Sequence, residues 1–143
     1  GSLSEKMASL GADLILEAIP AYLDGTVRLR LQEDGFATYA PMLKKEDGRL
    51  DFIRPAVELE RRVRAMNPWP GAFLDWKGAP LKVHRVRLVR GKSPGVGKRL
   101  IVQGYPALGT GNEILLLEEV QPAGKKSMPG KAFLAGARDW CNP

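Results

Sequence analysis

The stretch that most constrains this chain is residues 64–73, Arg-Ala-Met-Asn-Pro-Trp-Pro-Gly-Ala-Phe. A helical pattern runs into it and a strand pattern runs out. Pro68 has no amide donor and biases Asn67 away from helical angles, so the helix must stop there. Pro70-Gly71 signals a turn, and Phe73 to Trp76 then reads as a strand. Trp69 carries a large apolar surface, which is expected to pin the helix end onto the layer beneath. Trp69, Pro68, Pro70 and Gly71 are therefore read as structural residues of a rigid corner.

The chain on either side supplies what the corner joins. Residues 55–66 place Ala56, Leu59, Val63 and Met66 on one helical face, with Pro55 suited to the first position. The opposite face offers Glu58-Arg62 and Glu60-Arg64 as acid-first i,i+4 pairs. Upstream, Leu3, Met7, Leu10, Leu14 and Ala18 predict a helix over 3–19, with Ser2 and Glu5 as a capping box and Pro20 and Gly25 ending the element. Residues 24–50 are polar and broken by Gly25, Gly35, Pro41 and Gly48, and read as a linker with one extended piece at Thr26–Leu31. Beyond the corner the period becomes two. Leu81 and Val83 alternate with charge, and then Val86 and Leu88 continue in the opposite phase. A strand on one core cannot change phase unless a β-bulge intervenes. Residues 99–102 and 114–120 read as further strands, Gly109 to Asn112 as a turn, and 129–135 as a short helix capped by Ser127. The fold class is mainly β with flanking helices: a small barrel of the oligonucleotide-binding type, preceded by one α-helix and a linker.

Charge narrows the partner. Lysine plus arginine number 22 against 16 acids, a net +6 with a pI near 9.7. A basic balance favours a polyanion. The excess is concentrated: Lys82, Arg85, Arg87, Arg90, Lys92, Lys98 and Arg99 fall within 18 residues that contain no Asp or Glu. Lys125, Lys126 and Lys131 make a second patch. Such residues grip phosphates and set register without reading bases. No apolar run reaches membrane-spanning length, so no membrane partner is expected. Cys141 is the only cysteine, which suggests a reducing, cytoplasmic setting.

Catalytic patterns are missing. Gly91-Lys92-Ser93 ends like a phosphate-binding loop, but Val86 stands where that motif needs glycine. His84 is solitary, and Glu118-Glu119 are sequence neighbours that an extended chain points apart. No Cys/His spacing suits a metal.

Four segments resemble, in order and spacing, the C-terminal domain of methionyl-tRNA formyltransferases. They are Thr38-Tyr39-Ala40 with Lys44-Lys45-Glu46-Asp47-Gly48, the 64–73 corner, Val120 to Lys126 (VQPAGKK), and Phe133 to Arg138 (FLAGAR). Related corners occur in folate-dependent sugar formyltransferases and formyltetrahydrofolate dehydrogenases. The resemblance implies the same barrel fold and a division into residues 1–23 (last helix of a catalytic domain), 24–50 (linker) and 51–143 (tRNA-binding domain). It also implies that Lys44 and Lys45 join the positive strip facing initiator methionyl-tRNA. In this family formyl transfer from 10-formyltetrahydrofolate uses an N-terminal domain with an Asn, His and Asp set. No segment here matches those motifs, so no catalytic residue, metal or cofactor is assigned to this chain, and the catalytic domain itself is an expected partner. Two alternatives remain: the C-terminal domain of another folate-dependent formyltransferase, and a module that dimerises through the apolar stripe of its first helix.

Overall fold

The computed structural model describes residues 1–142, which form two compact units divided between Met42 and Leu43. In the first unit, helix α1 (Ser2–Leu23) runs past Pro20 and stops just before Gly25, the other residue expected to end it. Pro20 removes one helical donor, yet the Asp24 amide still donates to the Pro20 carbonyl at 2.9 Å. Thr26 Oγ1 donates to the Ala21 carbonyl at 3.0 Å and covers another terminal acceptor. The N-cap is Gly1, and Ser2 makes no capping bond. None of the α1 residues is buried, and Leu3, Met7, Leu10 and Leu14 are exposed. Thr26–Leu31, read as extended from its alternation, joins no sheet.

In the second unit, helix α2 (Ala56–Ala65) buries the face its spacing predicts: Ala56, Leu59 and Val63, with Met66 packed beside them. Pro55 sits one place earlier than expected, as the N-cap. The corner then delivers β1 (Ala72–Trp76), which pairs antiparallel with β2 (Ala79–Val89). The sheet continues through β3 (Arg99–Val102), β4 (Tyr105–Gly109) and β5 (Ile114–Gln121), in the order β1-β2-β5-β4-β3, with the short β6 (Met128–Pro129) on β5. The pairings between these strands are all antiparallel. The two edge strands are joined by a side chain, because Arg99 Nη2 of β3 donates to the Asp75 carbonyl of β1 at 3.1 Å. Helix α3 (Gly130–Gly136) follows, with Pro129 as its N-cap. Ser127, expected as the cap, donates instead to Glu119 Oε1 at 2.6 Å.

The predicted change of phase in β2 is real, and both strands make it. Val83 pairs with Val120, Arg85 with Glu119 and Val86 with Leu117, so His84 on β2 and Glu118 on β5 each stand as an extra residue. The two offsets compensate. Leu81, Val83, Leu115, Leu117 and Val120 all reach one core although each strand has slipped by one. The same core takes Ala72 and Leu74 of β1, Leu108 of β4, and Phe133.

Strand β4 has no counterpart in the sequence reading. Pro106 to Gly109 are all buried, so it lacks the alternation of a one-sided strand.

The segment read as a linker is corrected at its end. Gly48 and Leu50 pack with the barrel: both are buried, and the Leu50 amide donates to the Phe73 carbonyl at 2.9 Å. A 3₁₀ turn, Lys45–Gly48, precedes it. Arg62 Nη2 donates to the Asp47 carbonyl, so Arg62 braces this turn and is not paired with Glu58. Gly48 is buried against the corner, where a Cβ would overlap the Gly71 carbonyl oxygen. Gly71 itself has φ +83° and donates to the Met66 carbonyl at 2.9 Å, which closes the corner.

The role assigned to Trp69 is also corrected. Trp69 is 55% exposed, whereas Trp140, unnoticed near the C-terminus, is 0% exposed. Trp140 meets Phe133 edge-on at 5.7 Å and donates its indole N–H to the Leu100 carbonyl at 3.0 Å. The corner is closed by the approach of Gly48 to Gly71, while the Trp69 indole stays largely exposed.

Candidate nucleic-acid interface

Strand β2 organises the basic surface. Its inward residues are committed to the core, so Lys82, Arg85 and Arg87 are left exposed. The strand passes into the loop 90–98, where Arg90, Lys92 and Lys98 are also exposed. From Lys82 to Arg90 an extended chain covers roughly 26 Å at about 3.3 Å per residue. That is long enough to follow several successive phosphates.

Tertiary structure changes the charge that the sequence appeared to place here. The bulge residue Glu118 sits between Arg85 and Arg87, with Nε to carboxylate distances of 3.2 Å to each. One carboxylate against two guanidiniums leaves a net positive pair whose side chains are 68% and 47% exposed. Arg87 also donates to Gln103 Oε1 at 3.0 Å. Arg99 is half-buried: besides its bond to the Asp75 carbonyl, its guanidinium lies 5.1 Å over the Trp140 ring. It braces the barrel and is the least available of the seven cations.

The two basic patches, separated in sequence, meet through Gln121. Lys82 and Gln121 are register partners across β2 and β5. His84 Nε2 lies 3.0 Å from Gln121 Oε1, and Gln121 Nε2 donates to the Lys125 carbonyl at 2.8 Å. The chain His84–Gln121–Lys125 therefore fixes the loop that carries Lys125 and Lys126 beside the β2 strip. Lys131 is placed differently, 4.7 Å over the Tyr105 ring. Lys44 and Lys45 are exposed on the 3₁₀ turn braced by Arg62.

Arg61 lines a shallow cleft of about 340 Å³ with Arg54, Glu58 and Arg62, so further cations lie along α2. Its acids are engaged: Glu58 with Arg54 at 3.1 Å and Glu60 with Arg64 at 2.7 Å.

One carboxyl is displaced from its usual titration. The Lys77 ammonium, 2.6 Å from Asp139, hydrogen-bonds the Asp139 carboxylate and holds its pKa below the ordinary 3.8. Among the described residues no group of three or more His, Cys, Asp and Glu could hold a metal ion. Nor is any helix long and apolar enough to cross a membrane. Cys141 is exposed and free.

Comparison with known proteins agrees with this architecture. Residues 42–138 match the model of the formyl transferase C-terminal domain. The chain is 40% identical over 139 residues to a methionyl-tRNA formyltransferase of Chloroflexus aurantiacus, covering 95% of this chain and 45% of that protein. It is 43% identical to the methionyl-tRNA formyltransferase of Bacillus pumilus, covering 96% and 44%. The chain thus spans less than half the length of these curated relatives. Among solved structures, HypX from Aquifex aeolicus superposes with a TM-score of 0.62 at 17% identity, over 87% of this chain and 22% of that one, a likeness of fold alone. By the extent of the family match and by the barrel it folds into, the chain belongs to the formyl transferase C-terminal domain family.

Proposed function

We propose that this chain is the tRNA-binding C-terminal part of a methionyl-tRNA formyltransferase. That enzyme transfers a formyl group from 10-formyltetrahydrofolate to the amino group of initiator methionyl-tRNA, at translation initiation in the cytoplasm. The observation that carries the reading is the 40% identity across 95% of the chain to proteins of that name. In this reading the catalytic work belongs to a separate domain of the same protein, and α1 is that domain's last helix. Its exposed stripe of Leu3, Met7, Leu10 and Leu14 docks there. Where that domain is missing a second copy covers the stripe, and a monomer on gel filtration would count against this.

The physical task left to the barrel is to hold tRNA by its backbone. Arg85, Arg87, Arg90, Lys82, Lys92 and Lys98 on the β2 strip, with Lys125 and Lys126 beside them, supply phosphate contacts; Lys44 and Lys45 extend the grip. Each neutralised phosphate releases counterion, so log K falls with log salt by about 0.7–0.9 per contact. A handful of contacts predicts a slope of about −3 to −5. Measuring tRNA affinity of the chain at two salt concentrations tests this. Binding that is absent, or tight and independent of salt, would overturn it. With 10-formyltetrahydrofolate and methionyl-tRNA, the chain alone is expected to form no product above background.

A further inference from the structure

The segment Gln121 to Lys125 does more than carry charge: it builds one wall of a cleft. Gln121 Nε2 holds the Lys125 carbonyl at 2.8 Å, and Gly124 turns the loop with φ +71°. Pro122 and Ala123 then face Ala132 and Gly136 of α3 across a space of about 440 Å³. Trp76, Met128 and Phe133 line the same space, with Trp76 and Phe133 edge-on at 4.9 Å. The volume lies in the range of small-molecule sites, about 300–1,000 Å³.

Its cations are Lys77 and Lys125. Lys77 is engaged by Asp139 and by the Trp76 ring, 4.9 Å from its ammonium. Lys125 makes no ion pair among the described residues, and Lys126 follows it into solvent. The cleft therefore combines an aromatic and thioether lining, small residues that leave a flat object room, and one free ammonium at the rim. It also adjoins the β2 strip through Gln121 and Lys82. A flat, apolar-faced group carrying an anion fits all of these features. Aromatic side chains accept any base, because every base has a π face, but only an unpaired one can leave its helix to enter.

We infer that this cleft takes one unpaired nucleobase of bound RNA, with the adjoining phosphate on Lys125. The inference rests on the tRNA-binding reading for its physiological ligand, but the site can be probed without tRNA. Titration of the ¹⁵N-labelled chain with adenosine 5′-monophosphate should shift the amides of Ala123, Lys125, Ala132 and Gly136. Ribose 5-phosphate at the same concentration should not. Ala132→Phe fills the cleft from an exposed helix position without altering charge. It should abolish those shifts and weaken tRNA binding about tenfold, leaving the salt slope unchanged. Lys125→Ala should also weaken the nucleotide shifts, which guards against misfolding of the first variant. If the shifts are absent in the wild-type chain, or survive Ala132→Phe, the cleft is not a base site, and a salt-dependent grip on tRNA would stand without it. If the nucleotide enters the cleft but tRNA does not bind at any salt, the base site stands and the tRNA-binding reading fails.

Discussion

Replacing Trp140 by alanine should bring the barrel close to unfolding. Trp140 is fully buried between Phe133 and the Arg99 guanidinium. Emptying an aromatic site of this size costs about 3–5 kcal/mol. Loss of the indole donor also strands the Leu100 carbonyl, which is half-buried and can recruit water, so that contribution is at most about 1 kcal/mol. A domain of this size is stable by only about 5–15 kcal/mol in all. Each kcal/mol moves the midpoint by about 4–8 °C, so the expected drop is on the order of 20 °C. Trp69→Ala is the internal control. That ring is 55% exposed, and burial of the remainder contributes about 2 kcal/mol at 25 cal/mol per Å². Trp140→Phe should fall between the two, since it keeps a ring against Phe133 but loses the hydrogen bond. Urea unfolding followed by far-UV circular dichroism reads all three without relying on the tryptophans. Equal midpoints for Trp140→Ala and Trp69→Ala would refute the assignment of Trp140 as the core aromatic.

Three further outcomes are expected. Glu118→Gln releases Arg85 and Arg87 from their shared carboxylate, so tRNA affinity should rise and its salt slope steepen, by roughly one phosphate contact; an unchanged slope would show that these arginines do not face the nucleic acid. Gly48→Ala drives a methyl into the Gly71 carbonyl and should cost about 1–3 kcal/mol, with the strand order intact by NMR; a neutral result would mean that the corner and the 3₁₀ turn separate freely. The Asp139 carboxyl, lowered in the folded chain by Lys77, adds stability that is present above pH 3.8 and lost as pH falls through the folded value; Lys77→Ala should return its NMR titration to the ordinary range, and no change would mean the pair does not form in solution.

Much of this architecture was legible in local chemistry. The α2 stripe, the proline-glycine corner and the phase change in β2 are each statements about a few consecutive residues, and short-range rules decide them. The phase change even implied its own remedy, because two runs of opposite parity on one strand need a bulge between them. The four family segments likewise pointed to the C-terminal domain in which the chain belongs. Local rules failed where a residue's meaning depends on what is folded against it. Strand β4 is buried on both faces and shows no alternation. Pro20 ends a helix by propensity, yet α1 closes one turn later. Gly48 looked like a linker residue and is the close contact that holds the corner. The role expected of Trp69 is taken by Trp140, since indoles at the two positions are equally apolar on paper, and only packing decides which is buried.

Charge divides the same way. Composition and clustering along β2 determined that the chain presents a cationic strip, because Coulomb forces count residues wherever they lie in sequence. How much of that charge is free was a tertiary decision. Glu118 comes from another strand to stand between Arg85 and Arg87, Arg99 turns inward over Trp140, and Gln121 draws the second lysine patch against the first. Ion pairs and hydrogen bonds act over a few ångströms, and in a sheet those neighbours are set by strand register across more than thirty residues of chain, where no sequence window reaches.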